Sequence, residues 1–312
     1  MRSIFWGLLL TCGLVAHSAW AQPTSGAVGA TGTPAASGAA SADAADADPA
    51  CAYLPRIDLW PLDDDVYYTV VEPHSFKTQL GIWGLRIKTI QPLNPTLEAN
   101  TMLDPGQKIL VYSRSANATE PLSVGRANAG TLRNARIMPE GEGYRLRLFR
   151  QRSWGTDTTI QALTTALHAF HEKYPDAPLI NVGEISKPDG GPLDPHLSHQ
   201  AGRDVDVGFV FKEEPHKHHP EHFEKAKPKN FDAEKTWYFV ECLIRTGGVQ
   251  MIFVDESVQK MLYEYAAPRL TKQQLGAIFP RHGNALFHAW PGHTDHFHVR
   301  FHCPPGQPKC KE

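Results

Sequence analysis

The chain has 312 residues, enough for one large or two modest domains, and its 41% hydrophobic content supports a sizeable core. A formal net charge of −2 leaves no basic field to offset phosphate, which argues against nucleic acid as a partner. The sixteen histidines are the compositional anomaly, and they cluster.

The N-terminus reads as an export signal over residues 1–21. Arg2 is the positive region, "IFWGLLLTCGLVA" the apolar stretch and "AWA" the small residues before a cut near Gln22. The apolar run is short for a bilayer span. Cys12 sits in "LLTC", a poor lipidation site because Thr11 is neither Gly nor Ala. No later segment is apolar enough to span, so a mature protein without a membrane span, periplasmic or secreted, is expected. Residues 22–52 are mostly Ala, Gly, Ser, Thr, Pro and Asp, with too little apolar surface to offset ordering entropy, and predict a flexible leader.

Residues 64–114 predict a small unit. "VYYTVV" has strand composition, "SFKTQLGIWG" and "IKTIQPLNP" read as short helices, and "MLDPGQKILVY" turns at Asp104-Pro105-Gly106 into a strand. The order is strand, helix, helix, strand. With "YTVV", "LNP" and "LDPGQKILVY" as the matching residues, this unit resembles a LysM module, which implies glycan binding. It departs from the pattern where "EPHSF" replaces the usual Gly-Asp-Thr opening. The alternative is a compact α+β spacer without a ligand.

The region from 120 to 305 predicts a second domain, with 306–312 as a C-terminal tail. Ile160, Leu163, Leu167, Phe170 and Tyr174 form one apolar stripe on a helix that Pro175 ends. "PLINVGEIS" and "VQMIFVD" read as strands. "EKTWYFVECLIRTG", closed by Gly247, and "ESVQKMLYEYA" read as helices, and "HFHVRFH" as a closing strand. The prediction is an α+β fold with a small, mostly antiparallel sheet flanked by helices. Cys51, Cys242, Cys303 and Cys310 outside the signal allow three pairings in an oxidising compartment. Cys303–Cys310 is preferred because "PPGQPK" favours a tight loop, and Cys51–Cys242 follows by elimination.

The chemistry concentrates in two stretches. In "HLSHQAGRDVDVGFVF", residues 196–211, alternation puts Asp204 and Asp206 on one strand face and Val205 and Val207 on the other. In "GHTDHFHVRFHC", residues 292–303, His296 and His298 share a face with Phe297 and Val299 behind. If these strands are neighbours, His199, Asp206 and His298 supply three ligands to a zinc ion, leaving a position for water as in a catalytic site. His296 is then placed to accept or deliver a proton. His196 is a candidate further ligand, giving His-x2-His-x6-Asp. Asp204 reads as an orienting group rather than a ligand, or as a plain carboxylate. Arg203 and Arg300 are candidates to meet substrate carboxylates or to form ion pairs. The loop "EEPHKHHPEHFEK", residues 213–225, is a solvated insertion or a second metal site. No His-Glu-x-x-His, Gly-x-Ser-x-Gly or cysteine nucleophile motif appears in the sequence.

"VGEIS", "HLSHQAGRDVDVGF", "IFVD" and "HFHVRFHCPPGQPKC" together resemble the penicillin-insensitive murein endopeptidases, zinc peptidases related to the D-Ala-D-Ala metallopeptidases and the hedgehog domain. The resemblance covers roughly residues 120–310. It implies zinc ligands at His199, Asp206 and His298, a catalytic His296, cleft positions at His196 and His293, and a Cys303–Cys310 loop. His293 is then available to assist the departing amine. It also implies hydrolysis of D-alanyl–meso-diaminopimelyl crosslinks, with peptidoglycan peptides and glycan strands as partners. A D,D-carboxypeptidase of the same zinc group and a non-catalytic wall-binding protein are the alternatives.

Overall fold

The computed structural model describes residues 54–116, 119–147, 150–215, 222–279 and 285–312. The predicted signal peptide, the leader and Cys51 lie outside the described residues, as does the middle of the histidine-rich loop, residues 216–221. The described residues all fall within one compact unit, Ala45–Glu312.

The chain enters through β1 (Asp65–Thr69), β2 (His74–Ser75), α1 (Phe76–Ile82), α2 (Ile87–Ile90), β3 (Met102–Leu103) and β4 (Lys108–Ser113). A single 3-10 turn at Gln91–Leu93 extends α2. β1 and β4 pair antiparallel with Tyr68 opposite Ile109, so the expected strand, helix, helix, strand order is present. Ser75 caps α1 by accepting from the Thr78 amide. Gly106 takes φ 85° in the turn before β4, a backbone region open to glycine.

This unit packs onto the larger C-terminal region. The buried Tyr68 hydroxyl donates to the Met138 carbonyl at 2.8 Å, and Arg136 donates to the Asp63 carbonyl at 2.7 Å. Arg136 and Arg114 both pair with Asp157 at the start of the next long helix. One hydrophobic cluster runs through both regions.

Next come β5 (Leu122–Arg126), β6 (Ala129–Arg133), β7 (Arg136–Ile137), β8 (Tyr144–Leu146), β9 (Trp154–Gly155) and α3 (Asp157–Lys173). The chain continues with β10 (Ile180–Val182), β11 (Asp204–Gly208), α4 (Ala233–Thr246), β12 (Val249–Val254), α5 (Glu256–Ala266), α6 (Lys272–Ile278), β13 (Phe287–Ala289) and β14 (His296–Phe301). The predicted stripe on α3 is the buried one, with Ile160, Leu163, Leu167 and Phe170 in the core. Phe170 meets Phe239 of α4 edge to face. Gly247 ends α4 in the left-handed region, φ 70°.

The main sheet has six strands in the order β13-β12-β14-β11-β10-β8. The four inner strands pair antiparallel, but β8 pairs parallel to β10 and β13 parallel to β12. The sheet is therefore mixed rather than simply antiparallel. Each parallel pair is joined by a helical crossover, α3 in one case and α5 with α6 in the other, as parallel neighbours require.

Cys303 and Cys310 form a disulfide. Cys242 is a buried free thiol in α4. The segment after Cys303 is tied down: the Lys311 amide donates to the Gly125 carbonyl, and the Glu312 side chain accepts from the Cys303 amide at 2.8 Å and from Arg203 at 3.0 Å.

Candidate metal centre

β11 and β14 are neighbours at the middle of the sheet, with Asp206 opposite His298, Asp204 opposite Arg300 and Gly208 opposite His296. Val205, Val207, Phe297 and Val299 are fully buried behind them. The polar face is also largely buried: Asp204, Asp206 and His298 are shielded, with His296 half-buried. Charged groups at this depth are costly unless they are paired or hold a metal.

The preceding loop delivers His196 and His199 to the same face. His199 takes φ 63°, uncommon for a non-glycine residue. There its amide donates to Asp204 Oδ2 at 3.0 Å, and its ring is completely buried. His199 Nδ1 lies 3.0 Å from the Ile185 carbonyl. A carbonyl can only accept, so Nδ1 carries a proton and Nε2 is the ring nitrogen left to serve as a metal ligand.

Three atoms converge. His199 Nε2 is 3.1 Å from His298 Nδ1, and each is 3.2 Å from Asp206 Oδ1. Asp206 Oδ1 is buried and has no well-aligned hydrogen-bond donor among the described residues. Zinc bound at about 2.0–2.1 Å in a tetrahedral site sets its ligands roughly 3.3 Å apart. The N/O donor set and its spacing fit such an ion.

His196, His199 and Asp206 also offer ligand atoms within 4.8 Å of one another. His196 Nδ1, however, faces the other carboxylate oxygen, Asp206 Oδ2, at 3.5 Å. The His298 set is tighter and shares a single point, so it is the better cradle.

Asp204 does not reach that point. Its carboxylate accepts from Arg300 Nε at 2.7 Å and Nη2 at 3.2 Å, a fork pairing, besides the His199 amide. Asp204 Oδ1 is 3.5 Å and Ser198 Oγ 3.4 Å from His298 Nε2, the ring nitrogen turned away from the cluster. Arg203 points elsewhere. It is buried on the Phe301 and Lys311 carbonyls and on Glu312, so it is not available to a substrate.

His296 Nε2 is 3.7 Å from Asp206 Oδ1, while its Nδ1 is 2.6 Å from Asp295 Oδ1. His293 lies beside it, with ring centroids 4.8 Å apart, and its buried Nδ1 has no well-aligned hydrogen-bond partner among the described residues.

Burial opposes ionisation of both aspartates. Nearby His298 and Arg300 outweigh this for Asp204, as do His199, His298 and His296 for Asp206, so both are held well below the usual carboxylate range. Burial, then His296 and His298, pushes His293 down to about 4, leaving a neutral imidazole.

A cleft of about 510 Å³ is lined by His199, His298, His293 and Arg300 together with Phe253, Trp290, Asn128 and the segment Pro195–Ser198. Leu197 and Trp290 are exposed there. Sequence reasoning did not single out Ser198, Phe253, Trp290 or Asp295. Asp295 lies immediately before His296 in "TDHFH" and was the one most open to notice. The others are set by tertiary packing that no local spacing encodes.

A family model described as penicillin-insensitive murein endopeptidase matches residues 123–312. A penicillin-insensitive murein endopeptidase of Haemophilus influenzae is 28% identical over 196 residues, which is 56% of this chain and 61% of that protein. The chain thus spans less than two thirds of that relative's length.

Proposed function

Because the chain belongs to the penicillin-insensitive murein endopeptidase family, we propose that it is an exported zinc metallo-endopeptidase hydrolysing D-alanyl–meso-diaminopimelyl crosslinks of peptidoglycan. The observation that carries this reading is the convergence of His199 Nε2, His298 Nδ1 and Asp206 Oδ1, with His199 and His298 lining the cleft. These three residues would hold the zinc. When bound, the ion supplies Lewis acidity that polarises a carbonyl and brings the pKa of water toward about 7.

This chain's own residues do the rest. His296 Nε2 faces the cluster, placed to take a proton from the attacking water and to hydrogen-bond the developing oxyanion. Asp295 holds the opposite nitrogen of that ring. His296 would then return that proton to the departing amine nitrogen, with the neutral His293 beside it as a hydrogen-bonding group. Asp204 orients His298 and the His199 backbone, a device that commonly raises ligand precision. His196 lines the cleft.

The βααβ unit at 64–114 is proposed to be a LysM-like glycan-binding module, on the strength of its element order, and 120–305 the peptidase domain. Tethering to glycan would raise the local concentration of crosslinks. A periplasmic or secreted location is supported by the signal-like first 21 residues and by the Cys303–Cys310 disulfide. In the described residues no helix is long and apolar enough to cross a membrane.

The test is digestion of purified crosslinked muropeptide dimers, read by mass spectrometry. Conversion of dimers to monomers is expected. Loss of terminal alanine from intact dimers would instead make it a carboxypeptidase, and unchanged dimers would leave a wall-binding protein.

A further inference from the structure

We propose that Phe223, at the end of the histidine-rich loop, is a positioning residue for His296; this rests on the catalytic reading of His296 above. The Phe223 ring stacks on the His296 imidazole, centroids 4.8 Å apart and planes 18° apart. The Arg147 guanidinium lies over the same Phe223 ring at 4.7 Å and is itself held by Glu184 at 3.2 Å.

The backbone makes room for this ring. A Cβ at Gly183 would stand 2.7 Å from Phe223 Cζ. Gly183 has no positive φ, so space rather than conformation calls for glycine there. The flanks of Phe223 are fastened to the site's own elements. Asn181 of β10 donates to the His222 carbonyl at 2.9 Å, and the Ala226 amide donates to the Thr294 carbonyl at 2.8 Å, two residues before His296.

The need is geometric. Asp295 holds His296 through one nitrogen, a contact that does not by itself set the tilt of the ring, and His293 meets that ring only obliquely, at 47°. A flat face laid against the imidazole removes the tilt and keeps Nε2 aimed at the cluster. Misplacement of a reacting group by about 1 Å can cost on the order of 10²-fold in rate. The polar sequence around Phe223 thus ends in an aromatic group that serves the site.

The experiment compares Phe223→Leu, which keeps an apolar anchor without a flat face, with Phe223→Tyr. Kinetics on muropeptide dimers are read beside zinc content and the NMR ring-proton shifts of His296, assigned with His296→Gln. Phe223→Leu is expected to lower kcat about tenfold with KM within about twofold. Zinc content is expected to stay at the wild-type value, and the upfield ring-current shift of His296 to be lost. Phe223→Tyr is expected to restore both kcat and shift. A Leu variant with wild-type kcat and His296 shift overturns the proposal, as does a kcat loss matched by an equal loss of zinc. If wild type cleaves nothing, the peptidase reading fails, and the His296 shift alone decides whether Phe223 sets that ring.

Discussion

Two antiparallel strand pairs in this molecule use the same backbone for opposite ends. In β1 and β4 the inward residues Val66, Tyr68, Ile109 and Val111 are apolar or aromatic and fully packed, while Asp65 and Tyr67 face outward. In β11 and β14 both faces are shielded, one by Val205, Val207, Phe297 and Val299, the other by Asp204, Asp206 and His298. The first pair has an ordinary reason to form, the removal of apolar surface from water. The second buries carboxylates and imidazoles that would destabilise the sheet without their mutual pairing and Arg300. A sheet that places charge at its centre is specifying a site, and the two pairs should respond differently to substitution.

The largest effect is expected at the converging atoms. Asp206→Asn should abolish stoichiometric zinc binding and lower dimer cleavage by at least about 10³-fold, the equivalent of roughly 4 kcal/mol in the transition state. Metal analysis beside muropeptide kinetics checks this; a variant that still binds zinc and cleaves would remove Asp206 from the centre. One step outward, Asp204→Asn weakens the fork with Arg300 and the hold on the His199 amide. Zinc affinity by chelator competition should drop by about 10–100-fold, and an unchanged affinity would reduce Asp204 to a structural ion pair.

Smaller effects are expected away from the centre. Burial raises the Glu312 pKa, but His302, the Cys303 amide and Arg203 outweigh it and hold the carboxyl at about 2. A depressed carboxyl stabilises the fold above its unfolded value of about 4.3, and that contribution is lost as pH falls toward 2. Glu312→Gln should therefore lower Tm at pH 7, with the gap from wild type closing between about pH 4.3 and 2. A gap that stays constant on acidification would show that charge is not the cause.

The smallest change belongs to the first strand pair. Tyr68→Phe removes the donor to Met138 and should cost about 1 kcal/mol, visible in thermal melts, with cleavage of soluble dimers unchanged. An activity loss there would mean the two strand pairs are coupled.

Much of this was legible in the sequence because the informative patterns have short periods. The alternation in "DVDVGF" and "HFHVRF" marks the faces of β11 and β14, and the 3.6-residue stripe marks α3. The βααβ order follows from turn residues at Asp104-Pro105-Gly106. The β5–β6 hairpin and α6 do not stand out, since each is short and amphipathic only in its tertiary setting. The parallel edges of the sheet depend on crossovers rather than on strand composition. In the site, residues on the two strands could be paired in advance. Trp290 and Phe253 could not, because their place on the cleft wall is set by packing across elements. Arg203 reads as a candidate substrate contact from its place beside Asp204, yet strand alternation turns it to the opposite side, where the chain's last residues cover it.

His199, Asp206 and His298 are proposed to form one catalytic zinc centre. The deciding measurement strips the protein of metal and titrates zinc back while monitoring dimer cleavage in wild type and His298→Ala. Wild-type activity should rise from near zero to a plateau at one zinc per chain, and His298→Ala should stay inactive throughout. Full activity in the metal-free protein, or in His298→Ala, would contradict it.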